Sequence, residues 1–314
     1  AQHEHRPEQY RALRRPGLGH VGSRNRDHRE RDRIEAEEET DRDQEKYRYD
    51  RCQRAEPVHR IALLNDRTGI KDNGRERLLN FQCASVMSGV IERIKTDIVT
   101  ACKILSQQGL VQGFGHVSGR VPDSERFILT PRVSLELVTE ELLLVLDLNG
   151  KVIDGAGKPP FEAPLHAAIL RARPEVQAVA RIHARKANYF GATERKLEPV
   201  HNHGSFFFGG VPVFPKTDLI STLELGYEVA AALGQKPAIL LRGNGQVTVG
   251  KSLPEAIVMA VYLEETADIC YGALQIGTPI PLSSREARSR EDEILPQVDL
   301  TRAWEFFKAK AGAN

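Results

Sequence analysis

The chain of 314 residues is 40% hydrophobic and carries 44 Lys and Arg against 43 Asp and Glu, a net charge of +1. That is enough apolar mass for one sizeable domain or two small ones, and it leaves no electrostatic footprint for nucleic acid. No run of about 18 apolar residues occurs and no basic, apolar leader opens the chain, which argues against a membrane span or a secretory signal and for a cytoplasmic protein.

Residues 1–86 crowd charges of both signs, as in RNRDHRERDRIEAEEETDRDQEKYRYDR, without apolar periodicity. The segment reads as a solvated, disordered extension, or as sequence lying upstream of a natural start at Met87, because it is rich in Arg and almost free of Lys. Its five histidines are set aside. From Met87 on, Ile91, Ile94, Ile98, Cys102 and Leu105 recur at helical spacing, and Gly109 sits where a C-cap glycine belongs. RFILTP and LLLVLDLNGKVID read as strands, the second turning through Asn149-Gly150, a type I′ signal. PLHAAILRARP is a short helix stopped before Pro174, followed by the strand VQAVARIH and a helix from Ala184. VPVF and AILLRG are brief strands. Ser252 and Glu255 make an S-x-x-E capping box ahead of the helix EAIVMAVYLEETADICYGALQI. This order predicts a central mixed, largely antiparallel sheet with helices on both faces, a three-layer α/β/α domain over 87–290 and a C-terminal helical tail at 291–314.

Four cysteines, Cys52, Cys83, Cys102 and Cys270, form no C-x-x-C pair, which argues against a zinc knuckle or a disulfide framework. Five histidines remain as candidates. His116 lies in GFGHVSGR, read as a glycine-rich turn whose amides approach a ligand and whose Ser118 and Arg120 bond an anion, or else as an ordinary tight turn. His166 follows Glu162 by four residues and shares its helical face, placed either to orient that carboxylate or as a structural histidine. Glu162, behind Pro159 and Pro160 at a helix start, is a cap, a metal ligand or a proton carrier. His183 ends its strand, where open sheets place binding groups. His201 and His203 are two apart, a metal signal if the backbone is extended, and surface residues otherwise.

Taken in order, GHVSGR, ILTP, the acidic strand ending in NGK, E-x-x-x-H, a strand ending in R-x-H and RGNG before a capped helix resemble the class II aldolase and adducin amino-terminal domain family, from Met87 to about Ile280. The segments PVHNHGSFFFGGVPVF and AILLRGNGQVTVGKSLPEAIVMAVYLEE are most similar to its branch of 2-hydroxy-3-carboxymuconic semialdehyde decarboxylases. The resemblance implies a homotetramer with no nucleotide cofactor, no nucleic-acid or membrane partner and a small-molecule substrate. It also implies a divalent metal (zinc, manganese or iron) on three histidines that polarises a carbonyl, with Glu162 handling a proton.

Two ligand positions depart from that pattern: Arg181 stands for the first histidine of H-x-H and Asn244 for the histidine of RGHG. A guanidinium has no lone pair to give and repels a cation. Three readings follow. In the first, a carbon–carbon lyase, a decarboxylase or aldolase forming an enolate-type intermediate, uses Glu162, Arg181 and His183 for catalysis, with His116, Ser118, Arg120 and Asn244 binding substrate. In the second, a sugar-phosphate aldolase or epimerase rebuilds its metal site from His183 with His201 or His203, and with Glu162 as a further ligand, which needs the HNH segment to fold inward. The third is a non-catalytic, adducin-like scaffold. Retained buried polar groups favour an enzyme.

Overall fold

A computed structural model describes residues 74–289 and 300–313. The expectations for residues 1–73 and 290–299 lie outside the described residues. The helix expected near Met87 is longer than the apolar repeat: α1 is Gly74–Gln107. It closes as predicted, with Gly109 at φ +69° and the Leu110 amide donating to Leu105 O. The other helices are α2 (Ala163–Ala172), α3 (Arg185–Gly191), α4 (Leu223–Leu233), α5 (Leu253–Ile276), α6 (Ser284–Ser289) and α7 (Thr301–Lys310).

Eight strands form one sheet: β1 (His116–Val121), β2 (Arg126–Leu129), β3 (Leu144–Asp147), β4 (Val152–Asp154), β5 (Ala178–Ile182), β6 (Val213–Phe214), β7 (Ala238–Leu241) and β8 (Gln246–Gly250). Their order is β4-β3-β2-β1-β5-β8-β7-β6. Every neighbouring pair is antiparallel except β6 and β7, which run parallel. The period of two sorts side chains between two cores. Val117, Ala178, Ala180 and Ile182 face α1 and α5, joined by Trp304 of α7. Phe127, Val179, Val247 and Val249 face the other way, onto α2 and α4. This is the three-layer arrangement the sequence predicts.

Two local expectations need correction. GHVSGR is not a turn: it is β1, held between β2 and β5 in the middle of the sheet. Its glycines masked a strand, because Gly119 is there to admit α1, and a Cβ would come within 2.8 Å of Ile94. The hairpin at Asn149-Gly150 is not type I′ either, since that turn needs positive φ at both residues and only Gly150 has it, at +80°. Instead the Asp147 carboxylate accepts from the Asn149 and Lys151 amides, each at 2.9 Å, and closes the turn itself.

The segment leaving β5 is clamped from two sides. Gln246 accepts from the Ala184 amide at 2.9 Å and donates to its carbonyl at 2.8 Å. The first turn of α3, whose cap residue Ala184 offers no side chain, gives its Lys186 and Ala187 amides to Glu264 of α5. At the start of α5, Ser252 Oγ accepts from the Glu255 amide as the S-x-x-E pattern predicts. Residues that follow β5 are thus fixed in place before any ligand arrives.

Candidate active site

The pleat puts His116 and Ser118 of β1 and Arg181 of β5 on the face that α2 covers, with His116 and Arg181 directly paired across the two strands. Glu162 stands at the N-cap position of α2, where its side chain makes no capping bond and faces His116 and Arg181 instead. All four side chains are buried. Arg181 Nε lies 3.1 Å from Glu162 Oε2, and His116 Nε2 lies 3.4 Å from the same oxygen. Burial would raise the Glu162 carboxyl, but the His116 bond and the Arg181 charge overrule it and hold it at about 2. Its second oxygen, Oε1, is buried with no hydrogen-bond partner.

That carboxylate sets the protons of a buried chain. A carboxylate only accepts, so His116 Nε2 carries the hydrogen toward Glu162 and His116 Nδ1 is an acceptor. His166 Nε2, 2.6 Å away, must then donate to it, which leaves His166 Nδ1 to accept from the Ser118 hydroxyl at 2.7 Å. Both imidazoles are neutral, because burial pushes His116 down and His166 well down, with Arg181 adding to each. Ser118, expected to grip an anion, is committed to His166 and fully buried. Arg120, expected beside it, donates to the Leu170, Arg173 and Val176 carbonyls at the end of α2. Neither lines the cavity.

His183 sits just past β5. Arg181 Nη1 approaches both ring nitrogens of His183, Nε2 at 2.8 Å and Nδ1 at 3.2 Å, and the Phe114 carbonyl, which can only accept, lies 3.3 Å from Nδ1; the arrangement that serves both neighbours has the hydrogen on Nδ1 and Nε2 accepting from Arg181. Burial and the Arg181 charge hold its pKa below the ordinary histidine value. Arg181 Nη1 also reaches the Ile182 carbonyl at 3.0 Å. Gly245 is what lets the guanidinium lie there: its φ is +82°, and a Cβ would stand 2.2 Å from Ile182 O and 2.8 Å from Arg181 Nη1.

Above this floor opens a cavity of about 470 Å³, lined by His116, Glu162, Arg181, His183 and Asn244 together with Phe114, Arg132, Ser134 and Phe161. Phe114 and Phe161 stay largely exposed, at 77% and 60%. The Arg132 guanidinium lies 3.6 Å from the Phe161 ring centre and donates to Pro159 O. Sequence reasoning missed Arg132, Ser134, Phe114 and Phe161. The signals were an arginine immediately after the P of ILTP and lone phenylalanines beside glycine and proline turns.

A divalent metal on the family's ligand positions does not fit these residues. Asn244 offers at best a neutral oxygen, Arg181 puts a fixed positive charge 3.1 Å from the Glu162 carboxylate, and the Nε2 lone pair of His183 is already taken by Arg181 Nη1. The expected rebuilding from His183 with His201 or His203 is not made either. The HNH segment leads into a 3-10 turn, His203–Phe207, packed on α5, where both rings face Glu265. Among the described residues the one group of three with metal-ligand chemistry is His201, His203 and Glu265. A tight turn, rather than the extended backbone expected, brings the two histidines together.

The profile of the family described as Class II Aldolase and Adducin N-terminal domain matches residues 96–271, more than half of the chain. The chain belongs to this family. Among relatives, a 3,4-dihydroxyphthalate decarboxylase of Terrabacter sp. is 32% identical over 198 residues, covering 58% of this chain and 81% of that one. An L-fuculose phosphate aldolase of Methanococcus maripaludis is 31% identical over 181 residues, covering 56% and 95%. Among solved structures, the L-fuculose 1-phosphate aldolase of Glaciozyma antarctica superposes with a TM-score of 0.64 at 23% identity, over 72% of this chain and 92% of that one, which bears on the fold. Within the matched span this class II aldolase-family chain holds every residue of the cavity named above.

Proposed function

We propose that this chain decarboxylates a small hydroxylated carboxylic acid, with Arg181 standing where relatives of the family place a metal. It is a carbon–carbon lyase of the class II aldolase family, and its relatives include both decarboxylases and aldolases. The observation that carries the decarboxylase reading is the Arg181 guanidinium, 1% exposed at the cavity floor, with Glu162 and His183 in hydrogen-bonding range. A fixed cation in a dry site stabilises negative charge as it develops on a substrate oxygen. Arg132 at the mouth is a second cation for a second carboxylate.

Charge balance assigns the steps. A substrate oxygen that draws the Arg181 donors onto itself releases the Nε2 lone pair of His183, which accepts the proton of a substrate hydroxyl. The resulting oxyanion, held by Arg181, pushes electrons to the carboxylate-bearing carbon, which takes the proton from His183 as the oxygen becomes a carbonyl. Carbon dioxide then leaves, and its bonding pair flows into that carbonyl to give an enolate-type anion held by Arg181. Solvent restores the hydroxyl proton, so the sum is carboxylate plus proton giving the shortened acid and carbon dioxide. Glu162, held ionised at about 2, is too weak a base for this task. It serves as the counter-ion of Arg181, and its unpartnered Oε1 can accept from a second substrate hydroxyl. The resemblance to the family supports a homo-oligomer in the cytoplasm.

The test uses the full chain, assayed separately with 3,4-dihydroxyphthalate and with L-fuculose phosphate. Carbon dioxide release from the aromatic acid, unaffected by chelator and reduced at least about 100-fold in Arg181→Gln, is the expected result. Cleavage of the sugar phosphate without carbon dioxide release from the acid, or activity unchanged in Arg181→Gln, overturns the proposal.

A further inference from the structure

We infer that His201, His203 and Glu265 form a binding site for a divalent cation of zinc's ligand preference, separate from the cavity that holds Arg181. One ligand atom from each of the three lies within 4.8 Å of the other two. His203 Nδ1 stands 2.8 Å from Glu265 Oε2, and His201 Nε2 stands 4.0 Å from the same oxygen. An ion held at about 2.0–2.1 Å in tetrahedral geometry separates its ligand atoms by roughly 3.3 Å. The His203–Glu265 contact therefore opens by about half an ångström, the His201–Glu265 contact closes by a little more, and the two ring nitrogens close by at most about 1.5 Å, which rotation of the half-exposed His203 and Glu265 side chains supplies.

Three further observations favour a cation over a chance cluster. First, both ring nitrogens of His201 are buried without a hydrogen-bond partner, a cost that a bound ion removes at Nε2. Second, the rings are held in place. His203 stacks on Tyr262 at 4.1 Å and 12°, and His201 Nδ1 lies against Gly204, where a Cβ would approach to 3.3 Å, so Nε2 is the atom left facing Glu265. Third, Glu265 Oε2 faces both rings, which sets a negative charge between the two imidazoles. Two imidazoles and a carboxylate leave a fourth position to water, the donor set that suits zinc and its analogues. The ion would tie the turn after Val200 to α5.

The experiment titrates the full chain, stripped with chelator and dialysed metal-free, with cobalt(II) chloride, following visible absorption and then displacement by zinc. The inference expects one strong tetrahedral cobalt band that zinc displaces, at least tenfold weaker binding in His203→Ala and in Glu265→Gln, and unchanged binding in His183→Ala. The histidines ahead of residue 74 stay in every variant, so the differences read this cluster. Glu265→Gln preserves shape and decides the matter if His203→Ala fails to fold. No cobalt band in the wild type, or a band that survives Glu265→Gln or vanishes in His183→Ala, overturns it. Carbon dioxide release is not the readout, so the site and the proposed activity stand or fall separately.

Discussion

Among the described residues, two clusters of histidine and carboxylate lie on opposite sides of one sheet, and they have opposite characters. On the α2 side, Glu162, His116 and His183 surround a buried guanidinium that takes the lone pair of His183 and stands against the Glu162 carboxylate. On the α5 side, His203 and Glu265 are half-exposed, His201 is 18% exposed, and the three converge with no fixed cation between them. The residue types are nearly the same. What each cluster can hold is decided by a third partner: Arg181 fills the first from within, and the second is left to be filled from outside.

The largest expected difference is in stability. Glu162→Gln leaves Arg181 charged, buried and without its anion, and should cost about 3–5 kcal/mol in urea unfolding. Glu265→Gln removes a partner that is 41% exposed and should cost under about 1 kcal/mol. Equal losses at the two sites would show that the clusters do not differ in the way burial and charge imply.

A second change converts one cluster toward the other. In a Glu265→Gln background, Arg181→His takes the cation out of the first site and frees the lone pair of His183. The double variant should regain cobalt binding at least tenfold over Glu265→Gln alone and lose carbon dioxide release. Cobalt binding that does not return would mean that Asn244 and the shape of the RGNG turn close the site even without Arg181.

Smaller effects come from pH. His116, His166 and His183 all titrate below the ordinary value of 6.5 when folded, so the unfolded chain binds more protons there. Their contribution is present above 6.5 and is lost as pH falls through it. Glu162 adds a second loss, of stability present above 4.5 and given up as pH falls toward about 2. His166→Gln should flatten the first decline while leaving the second, as urea midpoints across this range would show. An unchanged slope would mean that the Ser118–His166–His116 chain already accepts a proton in the folded state.

Much of this was legible in the residues. The three-layer fold follows from the alternation of strand and helix patterns, and Glu162, Arg181, His183, His116 and Asn244 all line one cavity as their motifs suggest. The glycine-rich GHVSGR misled because glycine signals a turn locally, whereas here it makes room for α1 in a tertiary contact that no short window contains. Ser118 and Arg120 were misassigned for the same reason: on a strand their side chains meet α2, not a ligand. Glu265 was invisible because its partner His203 lies 62 residues away, and Arg132, though marked by its place after ILTP, was passed over because Pro159 lies 27 residues away.

The smallest effect separates a latent site from a structural one. If the His203–Glu265 contact existed to hold the turn on α5, removing it would loosen that turn with or without metal. The pair is half-exposed, at 47% and 41%, so its own contribution is that of a surface ion pair, a few tenths of a kcal/mol. The stacking of His203 on Tyr262 adds a similar amount. Metal-free His203→Ala should therefore unfold within about 1 kcal/mol of wild type. Saturating zinc should then stabilise the wild type and not the variant, by mass action on the folded state alone. A variant that unfolds far more easily before any metal is added would make His203 a structural residue, and the contrast between the two clusters would then rest on burial alone.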